Sequence, residues 1–125
     1  MIAAITLVHN VHPVPRELTD LDFVSSVWKI YEERKLDSAE FVPYWRERIC
    51  DVPGVYASSY RDGKQTTIVA SNLSKKRRTA VVSVPSGVAG LVDLMSGERF
   101  PVSDGKATFP AEPFALRILA AQADR

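Results

Sequence analysis

Residues able to do acid–base, nucleophilic or metal chemistry are few and scattered in this sequence. Cys50 is the only cysteine. An internal disulfide and a multi-cysteine metal site are therefore excluded by counting, and no histidine stands near it in sequence to activate a thiolate. His9 and His12 have the spacing H-x-x-H, which can bring two imidazoles towards one metal ion, but no third ligand accompanies them. Neither a metal nor a cofactor is expected. Among the fifteen carboxylates, Asp62, Asp104 and Glu98 fall in turn sequences, where local hydrogen bonding and permissive backbone angles account for them. Glu40 is the one acid flanked by aromatic residues in an extended stretch, Glu40-Phe41-Val42-Pro43-Tyr44-Trp45. No Ser-His-Asp order, Gly-rich phosphate loop or nucleotide fingerprint is present. The chain is thus expected to carry no catalytic residue of its own.

Binding is better represented than bond-breaking. Tyr56 and Tyr60 have the same parity on a strand-like run, with Ser58 between them, so they share a face. With Trp45 they are the aromatic side chains able to stack on a carbohydrate ring; packing between neighbouring elements is the competing account of Tyr44 and Trp45. Lys75-Lys76-Arg77-Arg78 could meet phosphate, but it sits at an expected hairpin, where solvated charge also discourages edge pairing. Sixteen basic against fifteen acidic side chains give a net charge of +1, which supplies no field to recruit nucleic acid or an anionic membrane. Neither is expected as a partner. The apolar opening Ile2 to Val8 lacks a basic leader and is interrupted by His9, far short of the roughly 20 residues of a membrane span. With a single cysteine, this favours a cytoplasmic location.

The elements that must position these residues can be read from periodicity and punctuation. Residues 2–8 are apolar and β-branched without alternation, the pattern of a strand covered on both faces. A Pro-stiffened loop follows, and then Leu21, Val24, Trp28 and Tyr31 recur at spacings of three and four, predicting an amphipathic helix over 20–34. Asp51-Val52-Pro53-Gly54 marks a boundary by its turn chemistry. Beyond it, strand-like runs at 55–60, 65–71, 79–84, 89–95, 99–102, 107–109 and 114–120 alternate with turn signals, among them Asp62-Gly63 and Asp104-Gly105. Asp-Gly between such runs predicts a type I′ hairpin, because both central residues need positive φ. The fold class expected is mainly β, an antiparallel β-sandwich, Greek-key-like, of about seven strands, preceded by one strand-loop-helix unit. That unit is either the last piece of a larger α/β domain or a strand and helix that join the sandwich directly.

Several of these segments resemble, in order, the C-terminal β-sandwich that follows the catalytic (β/α)8 barrel in many glycoside hydrolases. They are Val55 to Lys64, Thr67-Ile68-Val69-Ala70-Ser71-Asn72, Asp93-Leu94-Met95-Ser96-Gly97-Glu98, and Pro113-Phe114-Ala115-Leu116-Arg117-Ile118-Leu119. Upstream, His12-Pro13, the helix with Trp28-Lys29-Ile30-Tyr31, and Glu40 to Trp45 look like the last barrel unit and its linker. The resemblance implies two parts, 1–50 as barrel unit and linker and 51–125 as sandwich, with His9, His12 and Glu40 at the rim of a parent's active site. A barrel needs about 250 residues, so the carboxylates of such an enzyme would lie outside this chain. The expected function is a non-catalytic accessory region that packs against and stabilises a catalytic barrel. Two alternatives stay open: a carbohydrate-binding module using Tyr56, Tyr60 and Trp45, or an independent domain that dimerises through Ile2, Ile5, Leu7, Leu21, Val24 and Trp28.

Overall fold

The computed structural model describes residues 21–36, 38–62 and 65–123, and for residues 21–25 and 123 the backbone alone. The expected strand at 2–8, the proline loop, His9 and His12 lie outside the described residues, as do the side chains of Leu21 and Val24.

Helix α1 spans Leu21–Glu33. Val27, Ile30 and Tyr31, spaced three and one apart on a 3.6-residue repeat, form its buried face, whereas Lys29, Glu32 and Glu33 are exposed. Lys35 ends the helix in the left-handed region, with φ of 53°. The amide of Lys35 donates to the Glu32 carbonyl at 3.2 Å, and that of Leu36 donates to the Tyr31 carbonyl at 3.1 Å. This is the Schellman arrangement, with lysine in the place glycine usually takes, and the buried Leu36 supplies its customary apolar contact with Tyr31.

Eight antiparallel strands follow: β1 Glu40–Val42, β2 Val55–Asp62, β3 Gln65–Asn72, β4 Arg78–Ser83, β5 Val88–Asp93, β6 Arg99–Ser103, β7 Lys106–Ala111 and β8 Leu116–Ala123. Their order is β1-β2-β3-β8-β5-β6-β7-β4. β4 lies beside β7 and not beside β5, so strands β4 to β7 have a Greek-key order. The mainly β architecture is as expected, with the short β1 as an additional edge strand. The two layers are continuous, however, in one curled sheet. β6 makes the turn: its first half pairs with β5 through Arg99, Phe100 and Pro101, and its second half with β7 through Val102 and Ser103. Gly90 allows the bend, since β5 is irregular between Val88 and Gly90 and a Cβ at Gly90 would lie 3.3 Å from the Phe100 carbonyl oxygen. Asp104 and Gly105, with φ of 54° and 74°, close the β6–β7 hairpin as a type I′ turn.

The sheet buries apolar residues on both sides. Inside the curl, Val55, Ala57, Ile68, Val82, Leu91, Phe109 and Leu119 form one core. On the outer face of β2, β3 and β8, the helix residues Val27, Ile30, Tyr31 and Leu36 cover Tyr60, Val69, Leu116 and Ile118 in a second. The helix end is fastened there by polar contacts. Arg34 Nε donates to Thr67 Oγ1 at 2.9 Å and its Nη2 to the Thr66 carbonyl at 3.1 Å, while Gln65 Nε2 returns a bond to the Arg34 carbonyl at 2.7 Å.

Candidate functional site

After β1, Pro43 begins a tight turn. The amides of Arg46 and Glu47 both donate to the Pro43 carbonyl, at 3.0 and 3.1 Å, and the Tyr44 amide donates to Ser58 Oγ at 3.1 Å, pinning the turn to β2. Trp45 stands at the tip with 63% of its surface exposed. The chain then runs along β4, where Cys50 bridges Val82 and the Ser83 amide donates to the Ile49 carbonyl at 2.8 Å. It re-enters the sheet through a second turn, Val52-Pro53-Gly54-Val55. Pro53 sits at its second position and Gly54, with φ of 82°, at its third, and the Val55 amide donates to the Val52 carbonyl at 3.1 Å. That is the residue pattern of a type II turn.

Between the two turns lies a cleft of about 530 Å³ lined by Tyr44, Trp45, Arg46, Arg48, Cys50, Asp51, Pro53, Gly54 and Tyr56, among others. Its aromatic wall is built of one edge-to-face and one tilted ring pair. Tyr44 and Trp45 stand 5.0 Å apart at 88°, and Tyr44 and Tyr56 4.8 Å apart at 52°. Two guanidinium groups against one carboxylate make the lining electropositive, and no ion pair among the described residues involves Arg46, Arg48 or Asp51.

Of the three aromatic candidates, Trp45 and Tyr56 line this one cleft and Tyr60 does not. Tyr60 is 1% exposed. It does share a face with Tyr56, but α1 covers that end of the face, and Phe41, its partner across β1–β2, packs on it at 5.1 Å. Burial, and secondarily the charge of Tyr31, push its phenol well above the ordinary tyrosine range. A stacking platform of Tyr56 and Tyr60 is therefore not formed; Tyr44 takes the second place beside Tyr56. Glu40 is exposed at the start of β1, in register with Arg61. No group of three metal-ligating side chains occurs among the described residues, and no described helix is long and apolar enough to cross a membrane.

Of the basic run, Lys75, Lys76 and Arg77 are exposed between β3 and β4, with Arg77 paired to Glu112 at 2.7 Å, whereas Arg78 opens β4 and is half-buried. Three other singled-out residues hold the sheet together. Asn72, 1% exposed, donates through Nδ2 to the carbonyls of Lys76 and Ala111 and accepts at Oδ1 from Ser74. Asp93 accepts at Oδ1 from the amides of Met95 and Ser96, closing the Asp93-to-Glu98 turn. Arg117 reaches both acids of that turn, Asp93 and Glu98. Nothing in local sequence pattern foretold that last contact.

In fold the chain is similar to an α-amylase from Anoxybacillus whose structure was described as giving insight into a new glycosyl hydrolase subclass. The TM-score is 0.68 at 16% identity, over 84% of this chain and 23% of that one. It is similar too to the α-amylase of Geobacillus thermoleovorans solved with acarbose, with TM-score 0.68 and 10% identity over the same shares. A GH30 endoxylanase from Clostridium papyrosolvens matches at TM-score 0.51 and 20% identity, over 58% of this chain and 21% of that one. These structural neighbours are glycoside hydrolases, and the chain spans less than a quarter of their length. No protein-family model and no curated protein matches it.

Proposed function

We propose that this chain is a non-catalytic accessory β region of a glycoside hydrolase-like protein, packing against and stabilising a catalytic barrel that lies outside these 125 residues. The observation that carries this reading is the proportion of the structural likeness, 84% of this chain against 23% of an α-amylase. A barrel occupies about 250 residues, so the matched part of the amylase is too small to be its barrel.

The polar chemistry supports the same reading. Glycoside hydrolysis needs two carboxylates free to protonate a leaving oxygen and to attack or activate water. Asp93 and Glu98 both bind Arg117, and Asp93 is 3% exposed with its other oxygen held by two amides. A carboxylate so enclosed serves the turn rather than a substrate.

The purified chain, offered a panel of chromogenic α- and β-glycosides, is expected to give no turnover above the buffer blank. Turnover that follows the chain through repurification overturns the non-catalytic assignment. For the accessory role, the reading frame upstream of Met1 is sequenced and any barrel found there expressed alone and with this chain. The expected result is a higher melting midpoint for the barrel when the chain is present; an unchanged midpoint argues against it.

A further inference from the structure

We propose that the cleft between the turns at 43–47 and 52–55 binds an oligosaccharide bearing carboxylate groups, with Trp45 as the stacking surface and Arg46 and Arg48 as the ligands of the carboxylates. The inference goes beyond the accessory role and holds whether or not a barrel accompanies the chain.

Three features of the cleft point to this ligand. The first is the indole of Trp45, 63% exposed although burial of so large an apolar surface is favourable. It is held nonetheless in a fixed setting. Tyr44 stands against it at 88° and Phe41 at 70°, and the turn that carries it is bonded to Pro43 and Ser58. A flat apolar surface presented without loss of side-chain freedom suits the C–H face of a pyranose ring, because the ordering cost of binding is already met. The second is size and shape. About 530 Å³ between two hydrogen-bonded turns lies within the usual range of small-molecule clefts and admits a short chain of rings rather than a single ion.

The third feature is charge. Arg46 lies in the same turn as Trp45 and Arg48 just beyond it, both exposed and neither in an ion pair among the described residues, and they outnumber the single carboxylate of Asp51. A guanidinium presents a planar fork of donors that matches a carboxylate in bidentate fashion. Sugar hydroxyls alone would need acceptors as much as donors, and only Asp51 supplies a charged acceptor here. An acidic glycan such as a uronic acid chain satisfies ring surface and charge together.

The test titrates the full chain with a tetramer of galacturonic acid, alongside a neutral glucose tetramer and a DNA oligonucleotide of equal charge, following the indole NMR signals of Trp45 and Trp28. The acidic tetramer is expected to move the Trp45 signal and leave Trp28 unmoved, with affinity about tenfold or more above the neutral one and reduced by added salt. Trp45→Ala should abolish binding, and Arg46→Ala or Arg48→Ala should lower affinity to the neutral level. Circular dichroism shows whether these surface variants stay folded. Equal or tighter binding of the neutral tetramer, equal binding of DNA, binding unaffected by Trp45→Ala, or no binding of the acidic tetramer overturns the proposal.

Discussion

Arg117 donates through Nη1 to Oδ2 of Asp93 at 2.7 Å, across 24 residues of sequence, and the pair sits with only 16% and 4% of its two side chains exposed. The guanidinium is satisfied on other sides as well. Its Nε donates to the Pro110 carbonyl at 2.8 Å, and it lies 5.1 Å from the Phe100 ring and 5.8 Å from that of Phe109. One residue of β8 thus ties together the β5–β6 turn, the end of β7 and the inner aromatic pair. Removing Arg117 leaves Asp93 without its counterion in a poorly solvated place, and removing Asp93 leaves the guanidinium only the longer ion-pair contact to Glu98 at 3.3 Å. Asp93→Asn and Arg117→Met are each expected to cost about 2–4 kcal/mol, and the double variant clearly less than the sum. Urea unfolding of the four proteins measures it; additive losses would show that the two side chains do not depend on one another.

Gly54 is the second point at which the sheet depends on one residue. Its φ of 82° is one side chains rarely adopt, and an added Cβ would lie 2.9 Å from Ser74 Cβ, while its carbonyl accepts from the Leu73 amide at 2.8 Å. Gly97, with φ of 79°, has nothing within 4 Å of the same position. Both alanine variants carry backbone strain of about 1–3 kcal/mol, but only Gly54→Ala must also displace Ser74, which is fixed by its bonds to Asn72. Thermal unfolding should therefore rank Gly54→Ala well below Gly97→Ala. Equal losses would mean that the close approach to Ser74 relaxes without cost.

Tyr60 predicts how the protein behaves in alkali. Burial raises its phenol pKa above the unfolded value of 10.0, so above that pH the unfolded chain binds fewer protons than the folded one. The contribution is complete below about pH 10 and is lost as pH rises towards the folded pKa. Absorbance titration should show a delayed phenol fraction that appears together with loss of ellipticity. If all four tyrosines titrate together while the fold persists, Tyr60 is reached by solvent.

The alternation of turns and apolar runs was enough to place the strands, and Asp104-Gly105 specified its hairpin by itself, because few other pairs tolerate two positive φ angles. The spacing of Leu21, Val24, Trp28 and Tyr31 likewise carried the helix, although among the described side chains Val27, Ile30 and Tyr31 are the buried ones. What period-two alternation could not supply is which length of a face another element covers. Tyr56 and Tyr60 were correctly assigned to one face, but the helix lies over one of them only. The cleft was half legible for the same reason. Trp45 and Tyr56 were visible as aromatic candidates, whereas Arg46, Arg48 and Asp51 join them through two turns whose relative placement is set by the Cys50–Val82 bridge, a long-range contact.

Ile118 and Leu119 are adjacent, both wholly buried, and face opposite sides of β8, one towards the helix and one into the curl. In the whole chain, Ile118→Ala and Leu119→Ala should each cost about 2–5 kcal/mol, from lost transfer energy and the cavity left behind. The proposed division at residues 51–54 makes a sharper statement. A chain beginning at Val52 gives up Ile49 and Cys50 but retains the rest of the inner core, so it is expected to fold, at lower stability and with Tyr60, Val69 and Ile118 uncovered. In that shortened chain Leu119→Ala should keep most of its cost, whereas Ile118→Ala should lose most of its own, because Val27, Ile30, Tyr31 and Leu36 no longer pack over that site. Uncovered apolar surface of this kind also favours association, so sedimentation should show the shortened chain heavier than a monomer at concentrations where unfolding is followed. If the shortened chain gives the circular dichroism and NMR dispersion of an unfolded protein, helix and sheet form a single cooperative unit and the division at 51–54 is wrong.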